Sequence, residues 1–138
     1  MSNAEVVRRL LAAFESGDLD SQLTLLAPDV EIVEWPDAPD SRTFRGHDGA
    51  RQASEAWGEV WEWLRSDVEE VAEVRDRVVV SGRTHAKGKG SAVEVDVETF
   101  NVYTLREGKV TRVELFTSRG PAMRAAGLAE VMERDEAR

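Results

Sequence analysis

The hydrophobic pattern of this chain changes period near Asp67, from helical spacing before it to strict alternation after it. Val6, Val7, Leu10, Leu11 and Phe14 recur at positions that share one side of a helix, which predicts an amphipathic helix over Asn3–Glu15 closed by Gly17. Asp18 is a natural N-cap for a second helix carrying Leu19, Leu23, Leu25 and Leu26. That helix must stop near Pro28, where a backbone donor is missing. Asp29–Trp35 alternates as a strand and ends at Pro36, and Pro36–Ser41 reads as a loop. A short strand over Thr43–Arg45 leads to Gly46. His47–Leu64 then places Ala50, Ala53, Trp57, Val60, Trp61 and Leu64 on one face, predicting the longest helix, with three of the four tryptophans on it.

Beyond Asp67 the runs are β-like: Val68–Arg75, Val78–Ala86, Val93–Leu105 and Val110–Thr117. Asp76-Arg77 and the Lys87–Gly90 segment punctuate them, and Glu107-Gly108 joins the last two as a hairpin, glycine supplying the positive φ the turn needs. An acidic-Gly-Lys turn favours a three-residue loop with the glycine in a bulge. In that register Thr99, Asn101 and Tyr103 share a face with Thr111, Val113 and Leu115, while Phe100 and Val102 share the other with Arg112, Glu114 and Phe116. Pro121–Ala126 suits a short helix with Gly127 just past its end, and residues 128–138 read as a charged helical tail. The order of elements predicts a single α+β domain over residues 1–138: a cone-shaped, curved antiparallel sheet wrapped over N-terminal helices and one long helix, enclosing a pocket.

Composition narrows the partners. At 138 residues, 41% hydrophobic and 33% charged, the chain can bury a core without disulfides, and it has no cysteine. Those features fit a cytoplasmic protein. A net charge of −9 with no basic stripe argues against nucleic acid, and no run is long and apolar enough for a membrane span. No cofactor or metal is expected, because His47 and His85 lack ligand spacing and the Lys87–Gly90 segment lacks a phosphate-loop pattern.

The segments FRGHDGARQ, HAKGKGSAVEV, YTLREGKVTRVELF and SRGPAMRAAGL, in this order of elements, resemble the SnoaL-like branch of the nuclear-transport-factor-2-like superfamily, which includes the ketosteroid isomerases. The superfamily also holds polyketide cyclases, epoxide hydrolases, dehydratases and proteins with no catalysis, so the chemistry must come from the residues. The resemblance places Trp35 where isomerases keep a catalytic aspartate, Leu10 where they keep a tyrosine, Asn101 where they keep a second aspartate, and Leu115 where cyclases and hydrolases keep an acid. The usual carboxylates are thus replaced, and whether the chain is an enzyme stays open.

Trp35, Trp57 and Trp61 are either core filling or the aromatic walls of a ligand pocket. Asn101 and Tyr103 point the same way from one strand and suit recognition or oxyanion support. Arg83 and His85 share a parity that the resemblance turns inward, making His85, with Tyr103, the candidate catalytic pair; His47 is structural or at the pocket rim. Glu34, Asp37 and Asp40 are an acidic group at the loop, with Glu34 a relocated acid only where the strand bulges. Three functions follow: a pocket for a small, largely apolar metabolite; an isomerase, cyclase or hydrolase with Glu34 or His85 as acid; or a regulatory or structural dimer. The apolar outer face formed by Phe100, Val102 and Phe116, with Arg112 and Glu114, predicts a homodimer whose charges pair across it.

Overall fold

The computed structural model describes residues 1–36 and 38–128. Asp37 and the tail from residue 129 lie outside the described residues. In chain order the elements are α1 (Asn3–Glu15), α2 (Leu19–Leu25), β1 (Leu26–Glu34), β2 (Arg42–Arg45), α3 (Gly46–Val60), β3 (Trp61–Val74), β4 (Arg77–Gly88), β5 (Glu94–Arg106), β6 (Lys109–Phe116) and α4 (Arg119–Ala125). Ser2 caps α1 by accepting the Glu5 N–H at 3.1 Å, and Asp18 caps α2 by accepting the Ser21 N–H at 3.1 Å. The Ser21 hydroxyl and amide both bond the Asp18 carboxylate and hold its pKa below the ordinary value.

The six strands form one sheet in the order β2-β1-β6-β5-β4-β3. Its junctions are antiparallel except that of β1 with β6, which is parallel. The sheet is therefore mixed, because β1 enters from a helix and runs beside the last strand. β1 starts at Leu26, ahead of the predicted Asp29, and Pro28 falls in the stretch between Leu26 and Glu31 where the register with β6 shifts. An irregular stretch of this kind is where a strand tolerates a missing donor.

The predicted helix over His47–Leu64 is the largest correction. It ends at Val60, and Trp61 and Trp63 belong to β3. Gly58 weakens the last turn, and the alternating run from Trp61 pairs with β4 along nearly its whole length. Only Trp57 stays helical.

Packing divides the core between the two sheet faces. On the inner face Val6, Val7, Leu10 and Leu23 of the helices meet Val30, Ile32, Val78, Val80, Tyr103 and Val113 of the strands. Val6, Val7, Val30, Val78, Val102 and Val110 are all but inaccessible, each contributing about 1.5–3 kcal/mol by leaving water. On the outer face α4 covers Val79, Phe100, Val102 and Phe116 with Ala122 and Met123. The apolar residues that predict a homodimer are thus buried by the chain's own helix. Arg112 and Glu114 pair at 3.4 Å, and Arg112 also reaches Glu31 at 3.2 Å, so these charges find partners within one chain.

Candidate functional site

A cavity of about 480 Å³ lies between the inner sheet face and the helices. Leu10, Leu11 and Phe14 of α1 wall one side, and the Trp57 ring stands edge-on to Phe14 at 77° with centroids 5.8 Å apart. Trp61 and Leu64 of β3, Val95 and Val97 of β5, and Val113 and Leu115 of β6 continue the apolar wall. Its polar members are Gln22, Glu34, Ser66, Thr84, Thr99, Asn101, Tyr103 and Thr117.

Trp61 reaches this cavity from a strand because Glu62 is an extra residue. The β3–β4 register shifts between Trp61 and Trp63, so Trp61 turns inward with Leu64 and Ser66 while Trp63 faces out and is half-exposed. A similar displacement orders the opposite wall. Asn101 pairs with Leu115 and Tyr103 with Val113, the facing predicted, but the mechanism differs. Glu107 and Gly108 have φ of 52° and 77°, the pattern of a two-residue type I′ turn, and the one-residue shift comes from a bulge at Thr111, whose hydroxyl donates to the Thr104 carbonyl at 3.1 Å.

Glu34 and Trp35 both line the cavity although they are neighbours on a strand. Glu34 shares the inward parity of Val30 and Ile32, and the chain then turns left-handed at Trp35, φ 50°, which swings the indole back over the same space. The Trp35 backbone N–H still donates to the Leu115 carbonyl at 3.1 Å. Glu34 is 4% exposed and Trp35 43%, so the acid is within the wall and the indole at the mouth. The Glu34 carboxylate accepts from Arg42 Nε at 2.7 Å and from the Trp57 indole N–H, and its backbone carbonyl accepts from the Ser41 hydroxyl at 2.8 Å. No bulge was needed to bring this acid inside; its parity with two buried aliphatic residues was the available signal.

Tyr103 is buried, and burial pushes its phenol up to about 12, with the Asn101 side chain acting in the opposite sense. Thr84 and Thr99 hydroxyls lie 3.2 Å apart and satisfy one another. Arg83 and His85 do not join this group. Thr84 and Ala86 take the inward positions of β4, so Arg83 and His85 face outward. There Arg83 pairs with Asp96 at 2.9 Å and Glu98 at 3.7 Å, and His85 lies 2.9 Å from Asp67 and 3.8 Å from Asp96. The Asp96 hydrogen bond and charge raise the Arg83 pKa above its ordinary value. The physical reason for the reversal is cross-strand charge matching: Arg83 stands opposite Asp67 and Glu98, which cannot occupy an apolar interior. His47 lies off the cavity too, its Nε2 donating to the Leu26 carbonyl at 3.0 Å.

A wider, solvent-open groove of about 610 Å³ crosses the outer face along Arg83, Asp96, Glu98, Phe100 and Arg119. The inner cavity is the candidate site because it joins enclosing apolar walls to a few convergent polar groups. Among the described residues no cluster of three or more His, Asp or Glu side chains is placed to hold a metal, and no helix is long and apolar enough to cross a membrane.

Residues 7–113 match the SnoaL-like domain family. A search of curated proteins finds no match. Among solved structures, an NTF2-like protein of unknown function from Burkholderia pseudomallei is 25% identical, with 90% of this chain and 97% of that chain covered at a TM-score of 0.76. TerC co-crystallised with polyporic acid is 26% identical, covering 93% and 98% at a TM-score of 0.73. A candidate SnoaL-like polyketide cyclase from Jannaschia is 25% identical, covering 92% of each chain at a TM-score of 0.74.

Proposed function

This chain belongs to the SnoaL-like domain family, and on that footing we propose that it binds a small, flat, largely apolar metabolite in the inner cavity. The observation that carries the reading is the composition of one wall against the rest: Phe14, Trp57 and Trp61 offer apolar faces, while Asn101 and Thr99 sit together on β5 to orient a ligand carbonyl or hydroxyl. The apolar area stabilises the complex by about 25 cal/mol per Å² removed from water. The polar groups then fix orientation. The co-crystal of TerC with polyporic acid supports small-molecule binding by this fold. Thermal-shift screening against small aromatic metabolites, cationic, neutral and anionic, tests it: binders raise the unfolding temperature, and Trp57→Ala removes the shift. A panel with no binder, or binders indifferent to Trp57→Ala, overturns it.

A second reading, an isomerase- or cyclase-type enzyme, is favoured by Glu34 alone. It and Tyr103 are the titratable side chains of the lining, so Glu34 would take a proton from a ligand carbon while Asn101 supports the developing oxyanion. His85 has no part in it. Deuterium uptake by bound ketones in heavy water, abolished in Glu34→Gln, is the expected result, and binders that neither exchange nor turn over exclude it. A purely structural dimer is disfavoured by a cavity left open rather than filled. A homodimer through the outer face and a cytoplasmic location belong to the same proposal, the dimer now resting on charges rather than on Phe100 and Phe116.

A further inference from the structure

Among its described residues the cavity lining holds one formally charged side chain, and it is a carboxylate. Glu34 and Tyr103 are its titratable lining residues, and no lysine, arginine or histidine lines it among the described residues. Arg42 pairs with Glu34 from outside the lining, its side chain 57% exposed against 5% for Glu34, so the ion pair presents its carboxylate and not its guanidinium to the cavity. Arg42 Nε occupies one acceptor position on Oε1 and the Trp57 N–H one on Oε2. A carboxylate has about four such positions, so each oxygen keeps one free.

The aromatic part of the wall favours the same class of ligand as the carboxylate, a cation. Phe14, Trp35, Trp57 and Trp61 line the space around Glu34, and the face of an aromatic ring attracts an ammonium group. Gln22, Ser66 and Asn101 can turn a side-chain oxygen toward its N–H groups, though each can also donate. The chain's net charge of −9 raises the local concentration of cations and lowers that of anions. An anionic ligand of the same shape would meet a carboxylate and no cation among the described lining residues.

We propose that the ligand of this cavity is an organic amine bound as its ammonium cation, with its apolar body against the tryptophans and an N–H donated to Glu34. The proposal rests on the cavity-binding reading above and adds the charge class of the ligand. Naphthylmethylamine, naphthylmethanol and naphthoic acid share a ring system and differ in charge, and their binding to the full chain is measured by isothermal titration at neutral pH. The amine binds at least about tenfold tighter than the alcohol, and the acid binds weakest. Glu34→Gln brings the ratio of amine to alcohol affinity to within about twofold of unity, with thermal unfolding confirming that the variant is folded. An alcohol that matches the amine, or an amine preference that survives Glu34→Gln, overturns the charge assignment while leaving the cavity reading intact. Binding of none of the three overturns both. Where Glu34→Gln does not fold, the wild-type order of the three ligands decides.

Discussion

At the scale of single residues the site depends on where a side chain points, and parity decided that unevenly. Trp57, Asn101 and Leu115 line the cavity, but for Asn101 and Leu115 the facing turned on the hairpin register, since β5 carries apolar residues on both parities. Val78, Val79 and Val80 are all apolar, so β4 offers two equally good parities, and only the charges opposite Arg83 and His85 break the tie. Tyr103 gives the clearest measurement. It is the single tyrosine, with a phenol raised by burial from 10.0 to about 12. The folded chain therefore holds that proton more tightly than the unfolded chain. Between pH 10.0 and about 12 the unfolded state loses it first, so this residue's contribution is intact below 10.0 and is lost as pH rises through that window. Ultraviolet titration of tyrosinate shows the late ionisation, and Tyr103→Phe flattens the fall in stability over the same range. A midpoint at the ordinary tyrosine value in the folded protein would contradict the burial.

At the scale of elements the order of helices and strands was readable from period alone, and the three registers that build the cavity were not. Each depends on an irregularity: the extra Glu62 in β3, the left-handed Trp35 at the end of β1, and the Thr111 bulge in β6. A bulge shifts the phase of alternation by one residue, and where both phases carry apolar residues, as over Trp61–Leu64, the pattern does not show where the shift falls. The β5–β6 hairpin illustrates this, since a three-residue loop and a two-residue turn followed by a bulge bring the same residues together. The two are separable by experiment. In the observed turn Glu107 holds a left-handed φ that costs a non-glycine residue about 1–2 kcal/mol, which asparagine tolerates better. Glu107→Asn therefore stabilises the protein by about 1 kcal/mol in urea unfolding. A loss of stability in that variant would mean that Glu107 is not in the left-handed region.

At the scale of the whole molecule the sequence presents the outer sheet face as an uncovered apolar surface because α4 is short and its amphipathic pattern is faint. The strand pattern of Phe100, Val102 and Phe116 announces an apolar surface, but it cannot say whether seven residues near the end of the chain or a second copy will cover it. Once α4 covers that patch, the exposed remainder is a ladder of opposite charges, Asp67, Arg83, Asp96 and Glu98, with Arg112 and Glu31 farther along. An assembly built on exposed charges weakens in salt, since the screening length falls from about 10 Å at 0.1 M to about 3 Å at 1 M, whereas one built on apolar area does not. Sedimentation of the full chain at these two salt concentrations separates the cases. A homodimer through the outer face dissociates toward monomer at the higher salt, and Arg83→Glu, which reverses a charge presented on that face, shifts the low-salt chain the same way. A dimer unmoved by either change uses another surface, and a monomer at both concentrations removes the assembly altogether, leaving each cavity complete within one chain.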